Sequence, residues 1–218
     1  MSIKLIIFDL DGTLVDSLAD LTQAANHMLC RFGRPPLDIA NVRKLVGQGA
    51  RRLVERALPG ADAATVEEGL RLFLTYNEAH IADRTTVYPG VREALPLLAD
   101  NGRALAVVSN KHEALCRTLL ATFGIDRYFP LILGADSTPF RKPAPEPLLA
   151  VMERCGARPE ETVMVGDSIN DIAAGKAAGV VTVGCSWGYA PDELADADCR
   201  IDAFADLAVL PILAGRTP

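Results

Sequence analysis

The chain of 218 residues carries 22 Lys and Arg against 28 Asp and Glu, a formal net charge of −6, and is 50% hydrophobic, 23% charged and 6% aromatic. That balance excludes disordered, collagenous and low-complexity chains, and argues against broad attraction to nucleic acid or an anionic membrane, although a local basic patch stays open. At about 1.5 times the usual domain length, the chain is one large domain or a core with a smaller insertion.

From the N-terminus, Leu5 to Leu10 is an apolar run without alternation, which predicts a strand buried on both faces. It is too short, and too soon interrupted by Asp9, for a signal peptide or membrane span. Ser17 with Asp20 three residues later resembles a capping box, and Leu18, Leu21, Ala25, Leu29 and Phe32 then share one helical face. Further helices are predicted from Asp38 to Val46, from about Gly49 to Leu58, and from Ala64 to Ala79. Roughly 90 residues separate the first strand from the second, far more than one crossover helix needs. Residues 16–82 are therefore expected to form a small α-helical cap inserted between core segments 1–15 and 83–218.

Beyond it, helices over Val91–Ala99, Glu113–Phe123, Pro147–Cys155 and Asp171–Ala178 alternate with strands over Leu105–Val108, Leu131–Leu133, Thr162–Val165 and Val180–Val183. The pattern predicts an α/β core, a doubly wound, mostly parallel, Rossmann-like sheet. Five cysteines (Cys30, Cys116, Cys155, Cys185, Cys199) form an odd set without a CxxC pair. Neither a disulfide framework nor a zinc knuckle is suggested, and a cytoplasmic location fits best.

Chemistry concentrates where these strands end. Asp9 and Asp11 flank Leu10 just before the Gly12 turn, where open α/β sheets place ligands. Two neighbouring carboxylates repel, so a cation is expected beside them; the alternative is a solvated Asp-Gly turn. Ser109-Asn110-Lys111 offers a hydroxyl and amides at a helix start, Lys142 sits in the proline-stiffened Arg141-Lys142-Pro143, and Asp167 and Asp171 lie four apart after the fourth strand. Taken singly, Ser109 reads as a helix cap and Lys142 as a surface charge; jointly they converge on one sheet edge.

The ordered set, DxDGT through GDSxxD, resembles the haloacid dehalogenase-like hydrolase superfamily over nearly the whole chain, with 16–82 similar to its cap domain. The resemblance implies a phosphoric monoester hydrolase in which Asp9 is the nucleophile and forms an aspartyl-phosphate. Asp11 would be the general acid and base. Mg²⁺ would be held by Asp9, the Asp11 carbonyl and Asp167, and Asp171 would support Lys142 and the metal's waters. Ser109 and Lys142, with Thr13 and the Gly12 and Asn110 amides, would bind the phosphoryl group. Asp11 argues against halide displacement, whose leaving group needs no proton.

Val46-Gly47-Gln48-Gly49-Ala50 and Ser186-Trp187-Gly188-Tyr189 resemble phosphoglycolate phosphatases, which implies a small phosphorylated metabolite as partner, 2-phosphoglycolate first. Other small phosphates (sugar phosphate, nucleotide, pyrophosphate) and a β-phosphoglucomutase-type phosphomutase are alternatives. An aspartyl-phosphate signalling module, the non-catalytic option, would lack so large an insertion. No nucleic-acid or membrane partner is expected, and the protein is expected to be a monomer or homodimer. From Arg31 to Arg56 seven cations face two anions, a local +5 (7 − 2) that could funnel an anion. Gly47, Gln48, Gly49, Arg51 and Arg52 are accordingly candidates for specificity, with the Gly47–Gly49 N–H groups facing a substrate carboxylate. His112, just past Lys111, could border the site.

Overall fold

β1 (Leu5–Phe8) is buried along its whole length, as an unbroken apolar run requires. The computed structural model, which describes residues 2–99 and 102–213, places it at the centre of a six-stranded sheet. The other strands are β4 (Ala104–Val108), β5 (Leu131–Leu133), β6 (Thr162–Gly166), β7 (Val181–Cys185) and β8 (Cys199–Ile201). All run parallel in the order β5-β4-β1-β6-β7-β8. The order reverses at β1, between β4 and β6, which opens a crevice at the carboxyl ends.

Phe8 pairs with Val107 on one side and Val165 on the other, so Asp9, Ser109 and Asp167 leave the sheet at one level. Side chains alternate between two apolar layers: Ile6, Phe8, Val107 and Val165 pack on one, Leu5, Ile7, Ala106 and Met164 on the other. Helices α5 (Val91–Ala99), α6 (Glu113–Thr122), α7 (Glu146–Cys155) and α8 (Ile169–Ala178) cover the faces. β8 has no counterpart among the predicted strands, because only Ile201 of its three residues is fully buried.

After β1 come α1 (Leu18–Arg31), α2 (Ile39–Arg43), α3 (Ala50–Ala57) and α4 (Ala63–Ala79). They enclose their own apolar cluster, including Leu21, Met28, Leu53, Val54 and Phe73. The chain passes into and out of this bundle through an antiparallel pair, β2 (Val15–Asp16) with β3 (Thr86–Val87).

The capping-box expectation at α1 is corrected. Ser17 makes no side-chain cap bond; its hydroxyl donates to Asp11. Asp20 turns away from the helix start and accepts from Arg84 N, Thr85 N and Thr85 Oγ1, on the chain returning from the bundle. A capping box does form at α8, where Asp171 Oδ2 accepts from Ser168 N at 3.0 Å and Ser168 Oγ at 2.8 Å. That helix consequently begins two residues before the predicted start. Among the described residues no helix is long and apolar enough to cross a membrane.

Candidate active site

Lys142, in the loop after β5, has a side chain only 1% exposed. Its Nζ lies 2.9 Å from Asp9 Oδ1 and 2.7 Å from Asp171 Oδ1. The contact with Asp9 is a charge pair without hydrogen-bond alignment, and Asp9 Oδ1 is otherwise a buried oxygen with no donor. Asp171 is engaged at both oxygens, by Lys142 at Oδ1 and by Ser168 at Oδ2. Asp167 Oδ2 accepts from Tyr189 N at 2.7 Å, and Thr13 Oγ1 approaches Oδ1 at 3.3 Å.

Burial dominates the electrostatics. It pushes Asp9 up to about 6, against the pull of the Lys142 ammonium and helped by the Asp171 charge. Burial, then Asp171 and Asp9, hold Asp167 well above the usual carboxylate range. Burial works against the Lys142 cation, but Asp171 and Asp9 outweigh it and its pKa is raised. Carboxyl oxygens of Asp9, Asp167 and Asp171 all lie within 4.8 Å of one another. Three hard donors, one with an oxygen lacking an aligned donor, suit a hard divalent cation.

Asp11 is held at both oxygens, by Ser17 Oγ at Oδ1 and by Lys111 Nζ at Oδ2, 2.7 Å away. The Lys111 side chain is 7% exposed. In the sequence Lys111 figures only as part of the Ser109 motif. Its position at a helix start on the shared sheet edge was the available signal.

Glycines let the carboxylates sit this close. Gly12 has φ +89°, and a Cβ there would lie 2.3 Å from Asp167 Oδ2. Its amide donates to Val15 O at 2.8 Å within the turn. A Cβ on Gly188 would lie 2.1 Å from Asp167 Cβ. Trp187 Nε1 donates to Thr13 O, and Tyr189 OH accepts from Ser17 N, so residues 187–189 brace the turn after β1.

The helical insertion lies over this edge. Gly47 presents its carbonyl to the core, accepting from Asn110 Nδ2 at 2.9 Å and Asn170 Nδ2 at 3.4 Å; Asn110 Nδ2 also donates to Lys142 O. At Gly47 the group engaged with the core is thus the carbonyl. A Cβ on Gly49 (φ +84°) would approach Asn110 O at 3.0 Å, which marks how closely the loop lies on the core.

Two spaces meet at Asp9 and Asp11. An inner cavity of about 60 Å³ adjoins Ser109, Asn110, Lys111, His112 and Asn77, against apolar Leu53 and Phe73. An outer cleft of about 700 Å³ contains Asp167, Arg43, Lys44, Gln48 and Arg56. Arg51 and Arg52 line neither: Arg51 pairs with Glu67 and Arg52 with Glu55, all at least partly exposed. The structure does not bring these two specificity candidates to either space; partners on α3 and α4 engage them. Gln48 reaches the outer cleft, where its Oε1 accepts from Arg56.

The family model for haloacid dehalogenase-like hydrolases matches residues 6–185. A phosphoglycolate phosphatase of Chromobacterium violaceum is 43% identical over 210 residues, 94% of this chain and 95% of that protein. Phosphoglycolate phosphatase 1 of Pseudomonas aeruginosa is 47% identical over 193 residues, 85% of this chain and 70% of that one. The crystal structure of a predicted phosphoglycolate phosphatase from Haemophilus somnus superposes with a TM-score of 0.90 at 35% identity, covering 95% of this chain and 97% of that chain.

Proposed function

The chain belongs to the haloacid dehalogenase-like hydrolase family, and from that premise we propose that it is a Mg²⁺-dependent phosphomonoesterase whose substrate is 2-phosphoglycolate. The observation that carries the reading is the pairing of Asp9 with Lys142 beside Asp11, three residues with complementary charge and separate tasks. The names of the relatives support the choice of substrate.

The Asp9 carboxylate attacks phosphorus in line, forming an aspartyl-phosphate while the bond from phosphorus to the leaving oxygen breaks. Asp11 gives that oxygen a proton, so glycolate leaves as a neutral hydroxyl. Asp11 then takes a proton from water, whose oxygen attacks the same phosphorus, releasing inorganic phosphate and restoring Asp9. Lys142 and Ser109 hold phosphoryl oxygens, with Lys142 kept cationic by Asp171 and Asp9. Asp9, Asp167 and the Asp11 carbonyl would hold Mg²⁺, with Asp171 supporting them. When bound, that ion neutralises charge on the phosphoryl oxygens. Residues 16–82 act as a cap that excludes bulk water from the site, and the free cysteines fit a cytoplasmic enzyme.

Steady-state hydrolysis of a panel of phosphomonoesters with Mg²⁺ tests the proposal. The highest kcat/KM is expected for 2-phosphoglycolate, with activity abolished by chelator and in Asp9→Asn. A sugar phosphate or pyrophosphate far ahead of it would refute the substrate. Turnover surviving in Asp9→Asn would refute the mechanism.

A further inference from the structure

If glycolate is the leaving group, its carboxylate needs a cation, and the arginines that the sequence offered for it, Arg51 and Arg52, point away. Two places remain, the basic rim of the outer cleft and the inner cavity. They divide the catalytic groups unevenly. Ser109 opens on the inner cavity and Asp167 on the outer cleft, with Asp9 and Asp11 at the partition. A phosphoryl group held by Ser109 would have its leaving group within reach of the inner cavity, beside Asp11.

The inner cavity is the smaller of the two, about 60 Å³ against about 700 Å³ by the same measure, and its lining suits a short leaving group. Its wall towards the helical bundle is apolar, except for Asn77 on α4. Asn77 is 3% exposed overall and lines this wall of the cavity. An amide set in an otherwise apolar wall is placed to hydrogen-bond a polar group that enters the cavity. The same cavity is lined by Lys111, a nearly buried ammonium with three donors, of which Asp11 engages one.

We infer that Lys111 and Asn77 form the leaving-group subsite, Lys111 binding the substrate carboxylate by charge and Asn77 donating to it from the cap. Specificity for an anionic leaving group is then written on the core, one turn of chain from Ser109, and the cap contributes shape and a neutral donor. The subsite rests on the phosphatase reading above, and the following test separates the two.

The probes are 2-phosphoglycolate and 2-hydroxyethyl phosphate, equal in chain length and differing in the carboxylate. Wild type is expected to prefer 2-phosphoglycolate. In Lys111→Met, kcat/KM for 2-phosphoglycolate should fall about 10- to 100-fold further than for 2-hydroxyethyl phosphate, the loss of a charge-assisted hydrogen bond. Asn77→Leu, which keeps the side-chain volume, should erode the same preference through KM. Glycolate should inhibit p-nitrophenyl phosphate turnover competitively in wild type and far more weakly in both variants. Equal losses on both esters would reduce Lys111 to a support for Asp11 and overturn the subsite. So would selectivity that collapses in Arg43→Gln or Arg56→Gln while Lys111→Met keeps it. A wild-type protein that hydrolyses no phosphomonoester would instead remove the phosphatase reading itself.

Discussion

Asp20 on α1 accepts two hydrogen bonds from Thr85, from its amide at 2.8 Å and its hydroxyl at 2.6 Å, across 65 residues of chain. The amide of Arg84 adds a third donor at 3.0 Å. The carboxylate is 2% exposed and sits where the helical insertion rejoins the core, so it ties the outgoing and returning passes together.

Asp20→Ala is therefore expected to destabilise the protein by roughly 2–4 kcal/mol, because it leaves buried backbone amides unpaired as well as removing charge-assisted bonds. Urea unfolding followed by far-UV circular dichroism reads the loss. A change below about 0.5 kcal/mol would show that water replaces the carboxylate and that the clamp is dispensable.

The role of Asp20 was hidden in the sequence by a local pattern that fitted equally well. Ser17 and Asp20 have capping-box spacing, and only the return of the chain at Thr85 reveals a better partner. The strands were legible because a buried parallel strand needs an unbroken apolar run, as at Leu5–Phe8 and Val163–Val165. The half-exposed β8 obeys no such rule. Asp9, Ser109, Lys142 and Asp167 could be read from order and strand-end position, since the topology of a doubly wound sheet brings those ends together. Lys111 was visible but ambiguous: a cation beside a motif is ordinarily solvated, and only tertiary packing turns it onto Asp11. The placement of Arg51 and Arg52 away from both spaces was not legible, because a helix face is fixed by what its apolar side packs on.

Gly188→Ala tests how closely the Ser186–Tyr189 loop fits the catalytic edge. The new methyl would fall 2.1 Å from Asp167 Cβ, a distance that neither backbone nor a 2% exposed side chain can keep. Asp167 must shift, and Mg²⁺ affinity measured by activity titration should weaken about 10- to 100-fold. An unchanged Mg²⁺ titration would mean that Asp167 does not hold the ion.

Asp11→Asn keeps the shape of the side chain and removes its proton chemistry. Hydrolysis of an alkyl ester such as 2-phosphoglycolate should fall by about 10² to 10⁴. With p-nitrophenyl phosphate the first step needs no acid, since nitrophenolate is a stable anion, but the second still lacks its base. A burst of nitrophenolate followed by slow turnover is expected in rapid mixing. Equal loss on both esters without a burst would place the defect before chemistry.

The buried acids predict how Mg²⁺ stabilisation depends on pH. Asp9 titrates at about 6 in the folded, metal-free protein, against about 3.9 for an unfolded aspartate. Between those values the folded state holds the extra proton, so this group makes the metal-free protein less stable as pH rises through that window. Asp167, also raised by burial, acts in the same direction. Mg²⁺ needs the carboxylate and must displace the proton, so binding is opposed below about pH 6 and unopposed by Asp9 above it. At fixed Mg²⁺, the rise in Tm over a chelator-treated sample should be small near pH 5 and grow through pH 6. Above that it should continue to rise only as far as Asp167 still holds its proton. The increment should vanish at every pH in a protein lacking both carboxylates, Asp9→Asn with Asp167→Asn. A Tm increment that is flat from pH 5 to 7.5 in the wild type would mean that the ion binds without discharging a proton, and that burial does not govern these acids.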